Sequence, residues 1–433
     1  MMVEAPYVNR GAGFGGKENY SRLTIFSWTL FDYARTSFSV MIKTVGYALY
    51  FREVVAAGTM HGDFYWGLAD SISMIIAAAL SPVLGAASDY SHRRKRFLIA
   101  FSMLCVLGTA ILYWIKQGMI LPGMLVFIGA NVGFEGGYTF YDAFLPEIAP
   151  KYIYGRVSGY GFGMGYLGAL SILAVAFPFI KGGFYPSNIN SFRESFLMAA
   201  GFFAVFAVPA FIALRDHTGQ YHRKLPYFRL GFRRAVRTLR RLGKYKSLSK
   251  FLLAFFFYID GVNTVIFFSA LYARGTLGFA PVEVIIFFIV AQTTAILGSV
   301  IFGILTDHWG PKRSITITLF MWIVVVLSAF FIQTKEQFYI IGLFAGAAIG
   351  SSQSASRSLM ALLTPPEHAA EFFGFYDGIA GNASAIMGPL TFGAISSFTG
   401  SQRFAVLSVL IFFVTGLILL RQVKVEWERR KLE

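Results

Sequence analysis

The chain has 433 residues, of which 56% are hydrophobic, 17% are aromatic and only 14% are charged. A soluble domain typically carries about 25% charged residues, so this composition excludes an ordinary soluble protein and indicates a polytopic membrane protein. The net charge of +16 is compatible with nucleic-acid binding, but its distribution along the chain points to membrane topology instead.

Twelve apolar runs are long enough to cross a bilayer, which takes about 20 residues. We call them spans 1 to 12 in chain order and predict them at 24–51, 66–87, 97–115, 120–146, 156–180, 194–214, 251–273, 282–305, 314–333, 337–362, 371–396 and 402–421. The sequence therefore predicts an all-α membrane protein with an N-terminal half at 24–214 and a C-terminal half at 251–421. Short tails at 1–23 and 422–433 complete the chain.

Lysines and arginines are distributed unequally between the two sides of the predicted membrane. The N-terminal tail, the even-numbered connections and the C-terminal tail carry 28 of the 38, the odd-numbered connections carry seven, and three lie inside spans. Positive residues favour the cytoplasmic side, so we expect both termini to be cytoplasmic in a plasma or inner membrane. The polar, glycine-rich N-terminus is expected to be a cytoplasmic tail rather than a signal peptide.

The longest connection, at 215–250, joins the two halves and carries twelve of the positive residues. Phe232, Val236, Leu239 and Leu242 recur in it near helical spacing, with arginines between them. This pattern fits an amphipathic helix on the anionic inner leaflet. It fits equally a plain basic linker whose charge only sets the orientation. Nucleic-acid binding is not expected.

Two short motifs recur in the second half of the chain. GAASD (85–89) follows span 2 and GILTD (303–307) follows span 8, at an offset of 218 residues and with basic residues beyond each aspartate. DYART (32–36) in span 1 likewise matches DGVNT (260–264) in span 7. Two tandem six-helix halves are predicted, related by an axis along the membrane normal.

The loop motif after spans 2 and 8 resembles that of the major facilitator superfamily. Over essentially the whole chain, the sequence also resembles the autophagy-related vacuolar effluxer branch and its bacterial relatives, most specifically at 130–150, 156–168, 351–378 and 399–413. The resemblance implies a transporter in which spans 1, 4, 7 and 10 line a central cavity. Fungal members of the branch are regarded as exporters of amino acids from the vacuole. Two positions depart from its pattern, because Arg35 and Asp142 stand where relatives tend to carry asparagine.

Charged residues inside the predicted spans concentrate in the four spans that the resemblance assigns to the cavity. A charge at mid-bilayer is costly and almost always faces water or a partner, and the remaining spans are predicted to be poor in charge away from their ends. The candidate substrate-binding and cavity residues are Asp32, Arg35, Thr36, Lys43, Asn131, Glu135, Tyr138, Asp142, Asp260, Asn263, Gln353 and Arg357.

Arg35 is expected to pair with Glu135 or Asp32 when the site is empty, and an anionic group of the substrate would compete for its guanidinium. A permanent structural ion pair between spans 1 and 4 is the alternative. For Lys43 the alternative is snorkelling toward the outer surface. Glu135, Asp32 and Asp260 are candidate proton carriers, because a carboxylate that gains and loses Arg35 would change its proton affinity between conformations. Structural hydrogen bonding is the competing role for these carboxylates.

The resemblance to the major facilitator superfamily also implies that the loops after spans 2 and 8 lock the two halves at the cytoplasmic face, which makes them candidate gates. Asp89 is expected to meet the start of span 11, where the positive end of the helix dipole favours an anion. Arg93 and Arg94 are expected to pair with nearby acidic groups, or alternatively to serve only in orientation. The residues assigned to the gates are Gly85, Asp89, Arg93, Arg94, Gly303, Asp307, Lys312 and Arg313.

These features together predict a monomeric secondary transporter that works by alternating access. Its expected substrate is a small solute with an anionic group, an amino acid or organic anion, moved with proton coupling. A lysophospholipid transporter of the same fold and a non-transporting receptor or scaffold remain as alternatives. No enzyme activity, cofactor or metal site is expected, because the six histidines and one cysteine are scattered along the chain.

Overall fold

The structure, a computed structural model, describes residues 20–59, 61–216, 227–240, 242–384 and 387–425. These residues form helices joined by short connections, with no strand among them. Most of both predicted tails, and 217–226 of the linker, lie outside the described residues.

Most of the predicted spans are continuous helices. Within the described residues, ten helices are long and apolar enough to cross a membrane: Gly62–Ser91, Arg94–Trp114, Ile120–Ile148, Lys151–Ile180, Ile189–Ala213, Lys246–Leu277, Glu283–Trp309, Pro311–Phe331, Lys335–Leu363 and Gln402–Arg421. They correspond to spans 2 to 10 and span 12, and they confirm the all-α membrane class. Several of them extend past the predicted bounds, because polar residues at the span ends continue the helix.

Spans 1 and 11 differ from the prediction, because neither is one uninterrupted α-helix. Span 1 consists of the α-helix Arg22–Phe38, a π-helical turn at Ser39–Thr44, a short helix at Gly46–Tyr50 and a second π-helical turn at Phe51–Val55. In span 11, a π-helical segment at Gly374–Asn382 lies between the helices Ala369–Phe373 and Met387–Thr399. Such interruptions are frequent at functional sites.

Local side chains explain the irregularity in span 1. The Thr44 hydroxyl donates to the carbonyl of Ser39, five residues earlier, at 2.9 Å. Gly46 lies so close to the carbonyl oxygen of Met41 that a Cβ there would collide with it. The widened turn therefore depends on Gly46 and on the Thr44 hydroxyl. A prediction of spans from runs of apolar residues does not detect such single residues.

The two halves meet along two seams. Span 2 packs against span 11, and span 5 packs against span 8. Close approach at the second seam depends on glycine, since a Cβ at Gly303 would lie 2.8 Å from the Gly155 carbonyl oxygen. Gly85 lies still more tightly against the backbone of Ala370 at the first seam. Both contacts lie at span ends that the sequence assigns to the cytoplasm.

A helix at Tyr227–Arg240, which we call the linker helix, occupies the middle of the basic connection between the halves. It packs against span 2. The linker is therefore structured over this stretch rather than extended.

Candidate substrate site between the two halves

Arg357 of span 10 is the centre of the buried charges, and its side chain is completely buried. Its Nη1 lies 3.1 Å from Oδ2 of Asp32 in span 1 and 2.8 Å from Oδ1 of Asp142 in span 4. Its Nε and Nη2 donate to Oγ and the carbonyl oxygen of Ser158 in span 5, at 3.0 and 2.9 Å. Because Arg357 belongs to the C-terminal half and all three partners to the N-terminal half, this cluster ties the halves together.

Aromatic rings enclose the cluster. The Arg357 guanidinium carbon lies 4.0 Å from the centre of the Phe162 ring and 4.8 Å from that of Trp28. The Tyr141 hydroxyl donates to Asp32 Oδ2 at 2.8 Å, so this oxygen receives both a neutral and a charged donor. Charges withdrawn from water in this way need such partners, and removing one partner is costly.

Arg35 has a much looser environment than Arg357. Its Nε lies 3.9 Å from Asp32 Oδ1, at the outer limit of an ion pair. Its guanidinium carbon lies 3.5 Å from the centre of the Tyr138 ring and 4.4 Å from that of Phe134, both on span 4. Its Nη1 is buried and has no hydrogen-bond partner among the described residues. A stacked guanidinium with a free donor is suited to binding a carboxylate or phosphate.

The predicted contact of Arg35 with Asp32 is confirmed, whereas Glu135 pairs with a different cation. Lys43 Nζ lies 3.1 Å from Glu135 Oε1 and 3.9 Å from Asp70 Oδ1. The Lys43 side chain therefore points to carboxylates in spans 4 and 2 rather than snorkelling toward the outer surface.

Asn131 extends this second group of polar side chains within the N-terminal half. Its Nδ2 donates to Ser73 Oγ at 2.7 Å. Its Oδ1 is buried without a hydrogen-bond partner in the described part of the chain.

The two motifs repeated in spans 1 and 7 have the same local geometry. Thr36 donates to the Asp32 carbonyl and Thr264 donates to the Asp260 carbonyl, each at 2.7 Å. Asp260 Oδ1 accepts from the backbone N–H of Gly388 at 3.0 Å, while its Oδ2 is buried without a hydrogen-bond partner in the described ranges. Asp260 thus holds the position of Asp32 in the other half, but no arginine of the described residues pairs with it. Asn263, the counterpart of Arg35, is half-buried.

An apolar cavity of about 220 Å³ lies inside the C-terminal half. Phe268, Phe287 and Phe338 form part of its wall. Gln353 and Tyr166 lie at the wall that faces the N-terminal half, where the Tyr166 hydroxyl donates to Gln353 Oε1 at 2.5 Å. An apolar cavity of this kind favours apolar groups over water. Gln353 lies one helical turn from Arg357, so the cavity begins close to the central charges.

The gate at the end of span 2 has the predicted contact. Asp89 accepts from the backbone N–H groups of Ala370 and Glu371 at 3.1 and 2.9 Å, at the start of span 11. Arg94 lies beside it, with Nη2 2.7 Å from Asp89 Oδ1 and Nη1 in contact with Glu147. Asp89 therefore caps a helix of the opposite half and is held in place by an arginine of its own half.

The gate at the end of span 8 repeats the capping contact, but its arginine, Arg156, belongs to the opposite half. Asp307 Oδ1 accepts from the Gly155 backbone N–H at 2.8 Å, and Asp307 Oδ2 lies 2.5 Å from the Arg156 Nε. The other basic residues of this loop lie elsewhere, since Lys312 donates to the carbonyls of Arg421 and Val423 at 3.0 and 2.6 Å and Arg313 is exposed. Both gates thus join the halves on the same predicted side of the membrane.

The sequence analysis missed the half-buried Asp70 and the buried Asp377, and so predicted too little charge in the outer spans. Asp70 of span 2 lies near Lys43, and Asp377 of span 11 is only 9% exposed. Both stand close to an end of a predicted span, where charge was expected to be peripheral. Ser158, a main partner of Arg357, is a single hydroxyl in a glycine-rich helix and gave no signal of its own.

Known proteins place this architecture in a family. The family described as "Vacuole effluxer Atg22 like" matches residues 54–433. The uncharacterized MFS-type transporter YxiO of Bacillus subtilis (strain 168) is 33% identical over 402 residues, which cover 91% of this chain and 93% of YxiO. Autophagy-related protein 22 of Coccidioides immitis (strain RS) is 23% identical over 429 residues, covering 81% of this chain and 71% of that protein.

A solved structure shows the same fold. The proton:xylose symporter XylE superposes with a TM-score of 0.70 at 16% identity, covering 93% of this chain and 95% of XylE. The family match, the bacterial relative and the shared fold agree with one another. The chain therefore belongs to the Atg22-like effluxer family of the major facilitator superfamily, whose members are transporters and not enzymes.

Proposed function

We propose that this secondary transporter works by alternating access and moves a small solute with an anionic group, an amino acid or an organic anion. The observation that carries the proposal is Arg35. Within the described part of the chain this cation has stacked rings, one long carboxylate contact and a buried donor without a partner. An anionic group that binds there gains a charge-assisted hydrogen bond that the empty site does not have. We propose a monomer in the plasma or inner membrane, with both termini cytoplasmic.

Binding of an anion at Arg35 would leave Oδ2 of Asp32 with both of its partners. Asp32 keeps the Tyr141 hydroxyl at 2.8 Å and Arg357 at 3.1 Å when Arg35 turns to the solute. The exchange therefore costs only the 3.9 Å contact between Arg35 and Asp32. This difference favours Arg35 as the residue that binds and releases the solute, and Arg357 as the residue that holds the two halves together.

Opening toward the predicted cytoplasmic side requires the halves to separate at the gates and at Arg357. Protonation of Asp32 would weaken its attraction to Arg357 and ease that separation, which is how a proton would be coupled to the cycle. Asp260 is a second candidate carrier, because one of its buried oxygens has no partner in the described residues. Glu135 is a third, although Lys43 holds it at 3.1 Å.

A lysophospholipid is the second candidate substrate, and the apolar cavity of about 220 Å³ is the observation that favours it. Its phosphate would bind Arg35 or Lys43 and its acyl chain would enter the cavity. An amino acid with a large apolar side chain would use the same two regions. A transport assay distinguishes the amino acid from the lysophospholipid as substrate. It also distinguishes a transporter of either one from a receptor that moves no solute.

The test is uptake into proteoliposomes under an imposed pH gradient, with a panel of amino acids, organic anions and lysophospholipids. We expect saturable uptake of an anionic solute, reduced about 10- to 100-fold by Arg35→Ala, as the loss of one charged hydrogen bond predicts. Arg52→Ala is the matched control, because Arg52 lies at the outer end of span 1 and pairs with the exposed Asp63. Normal uptake by Arg35→Ala, or an equal loss with Arg52→Ala, would contradict the proposal.

A further inference from the structure

The linker helix presents three distinct faces. Successive residues of a helix are 100° apart, so its residues separate into stripes. Gly231 and Ala235 are buried on the first face. The second face is apolar and exposed, with Phe232 54% and Leu239 52% exposed. The third face carries only arginines, all exposed: Arg233, Arg237 and Arg240.

The first face fixes the helix to both halves of the protein. Gly231 lies against Val83 and Ala87 of span 2, in the N-terminal half. Arg234, beside this face, has its Nε 2.9 Å from Glu371 Oε2 and also contacts His368, both at the start of span 11 in the C-terminal half. The orientation of the helix about its own axis is therefore set, and the other two faces must point away from the protein.

The level of the helix is set by the same contacts. Span 2 ends at Ser91, so Ala87 and Val83 lie about 6 and 12 Å inside its predicted cytoplasmic end. The linker helix consequently lies beside the membrane-spanning helix at the boundary between acyl chains and headgroups. Exposed apolar side chains at that level face lipid rather than water.

The charge of the linker helix matches one kind of lipid. Residues 227–240 include five arginines and no acidic residue. An apolar stripe of Phe232, Val236 and Leu239 runs directly beside the arginine stripe. Insertion of the apolar stripe among the acyl chains therefore brings the arginines to the level of the lipid phosphates. Each basic residue near an anionic leaflet strengthens the attachment about fivefold, and a zwitterionic leaflet offers no such gain.

We propose that the linker helix is a binding surface for anionic phospholipids of the adjacent leaflet. Its apolar stripe inserts below the headgroups and its arginine stripe binds their phosphates. Arg234 connects the lipid-bound helix to span 11, so the same helix bridges the leaflet and the seam between the halves. A cytosolic acidic protein is the other occupant that the charge allows, but it would have to reach an apolar stripe at membrane level.

The first test maps the faces in vesicles. Cys105 is the only cysteine and is buried, so a Cys105→Ala background permits single spin labels at Phe232→Cys, Leu239→Cys, Arg233→Cys and Arg237→Cys. The full chain is reconstituted into phosphatidylcholine vesicles with and without 30% phosphatidylglycerol. We expect labels at 232 and 239 to collide with oxygen several-fold more than with a water-soluble nickel complex, and labels at 233 and 237 to show the reverse. Equal access at all four positions, or shielding of 232 and 239 from both reagents, would overturn the proposal.

The second test measures lipid affinity directly. Short-chain phosphatidylglycerol is titrated onto the detergent-solubilised protein, and half-saturation is compared for two triple variants. Arg233→Gln with Arg237→Gln and Arg240→Gln removes the stripe, and we expect half-saturation to rise by about 100-fold. The control triple variant, Lys244→Gln with Lys246→Gln and Lys250→Gln, removes three positive charges from exposed lysines that follow the linker helix. It should change the concentration at half-saturation far less. Equal weakening by the two triples would overturn the assignment to the stripe.

Discussion

Removal of Arg357 should destabilise the protein, because the carboxylates that it neutralises stay buried without their cation. In Arg357→Met, Asp32 and Asp142 stay buried while their cation is gone, together with two bonds to Ser158. Removal of one partner from a buried ion pair costs about 3–5 kcal/mol. We therefore expect a clear fall in the thermal midpoint in detergent. Adding Asp142→Asn should restore part of it, because one uncompensated charge is removed.

The sign of the second effect is the critical result. In the wild-type background, Asp142→Asn should lower the midpoint, since it weakens the 2.8 Å charged bond to Arg357. In the Arg357→Met background it should raise the midpoint. Arg403→Met is the matched control, because Arg403 lies in the same half and its hydrogen bonds within the described residues go to the carbonyls of Phe330 and Ile332. Additive effects of Asp142→Asn and Arg357→Met would refute the coupling.

Three further changes test the proton site and the gates. Asp260→Asn keeps an acceptor for the Gly388 N–H but removes the ionisable carboxyl group. Accumulation of the solute driven by a pH gradient should therefore vanish, while counterflow exchange of the solute persists. Loss of both activities, or of neither, would contradict the role of Asp260 as a proton carrier. Ser299 is buried in span 8, against Gly159 of span 5. Asp307→Ala removes the cap on span 5, and should raise the maleimide labelling rate of Ser299→Cys about tenfold in a Cys105→Ala background; an unchanged rate would count against the gate. Gly303→Ala places a Cβ 2.8 Å from a carbonyl oxygen across the seam and should slow uptake, whereas Gly393→Ala, where a Cβ meets nothing within 4 Å, should not.

The helical class, the two repeated halves and the gates could be predicted because each leaves a local mark in the sequence. Apolar runs define spans without reference to their neighbours. The family resemblance of the loop motif after span 2, together with the preference of an anion for a helix N-terminus, predicted the position of Asp89 at the start of span 11. The recurrence of that motif at Asp307 then predicted a second gate with the same chemistry, although not its partners.

The partners inside the central cluster could not be predicted from spacing. Glu135 and Asp142 are seven residues apart on the same face of span 4, which is about 10 Å along the helix. Depth counted from span ends is uncertain by about as much, so it cannot decide which carboxylate meets an arginine of another span. Arg357 lies 325 residues from Asp32 and 215 from Asp142, and only the fold brings them together.

The two departures from the family pattern acquire a physical reason in the structure. Arg35 adds a positive charge and Asp142 adds a negative charge to the group that also contains Asp32 and Arg357. With all four ionised, the formal charges cancel. The added charges of Arg35 and Asp142 thus leave the interface neutral. They also supply a second cation, Arg35, in addition to Arg357, which is already paired with Asp32 and Asp142.

The most direct test of Arg35 as the receptor for an anionic group is ligand-induced stabilisation of the purified protein. Carboxylates from the transport panel are each compared with their primary amides, which lack the negative charge, in wild type, Arg35→Ala and Arg52→Ala. A ligand that binds the folded state raises its stability with concentration. We predict that a transported carboxylate raises the thermal midpoint of wild type and Arg52→Ala, that its amide does not, and that Arg35→Ala responds to neither. Equal stabilisation by carboxylate and amide, or an undiminished response in Arg35→Ala, would contradict the account.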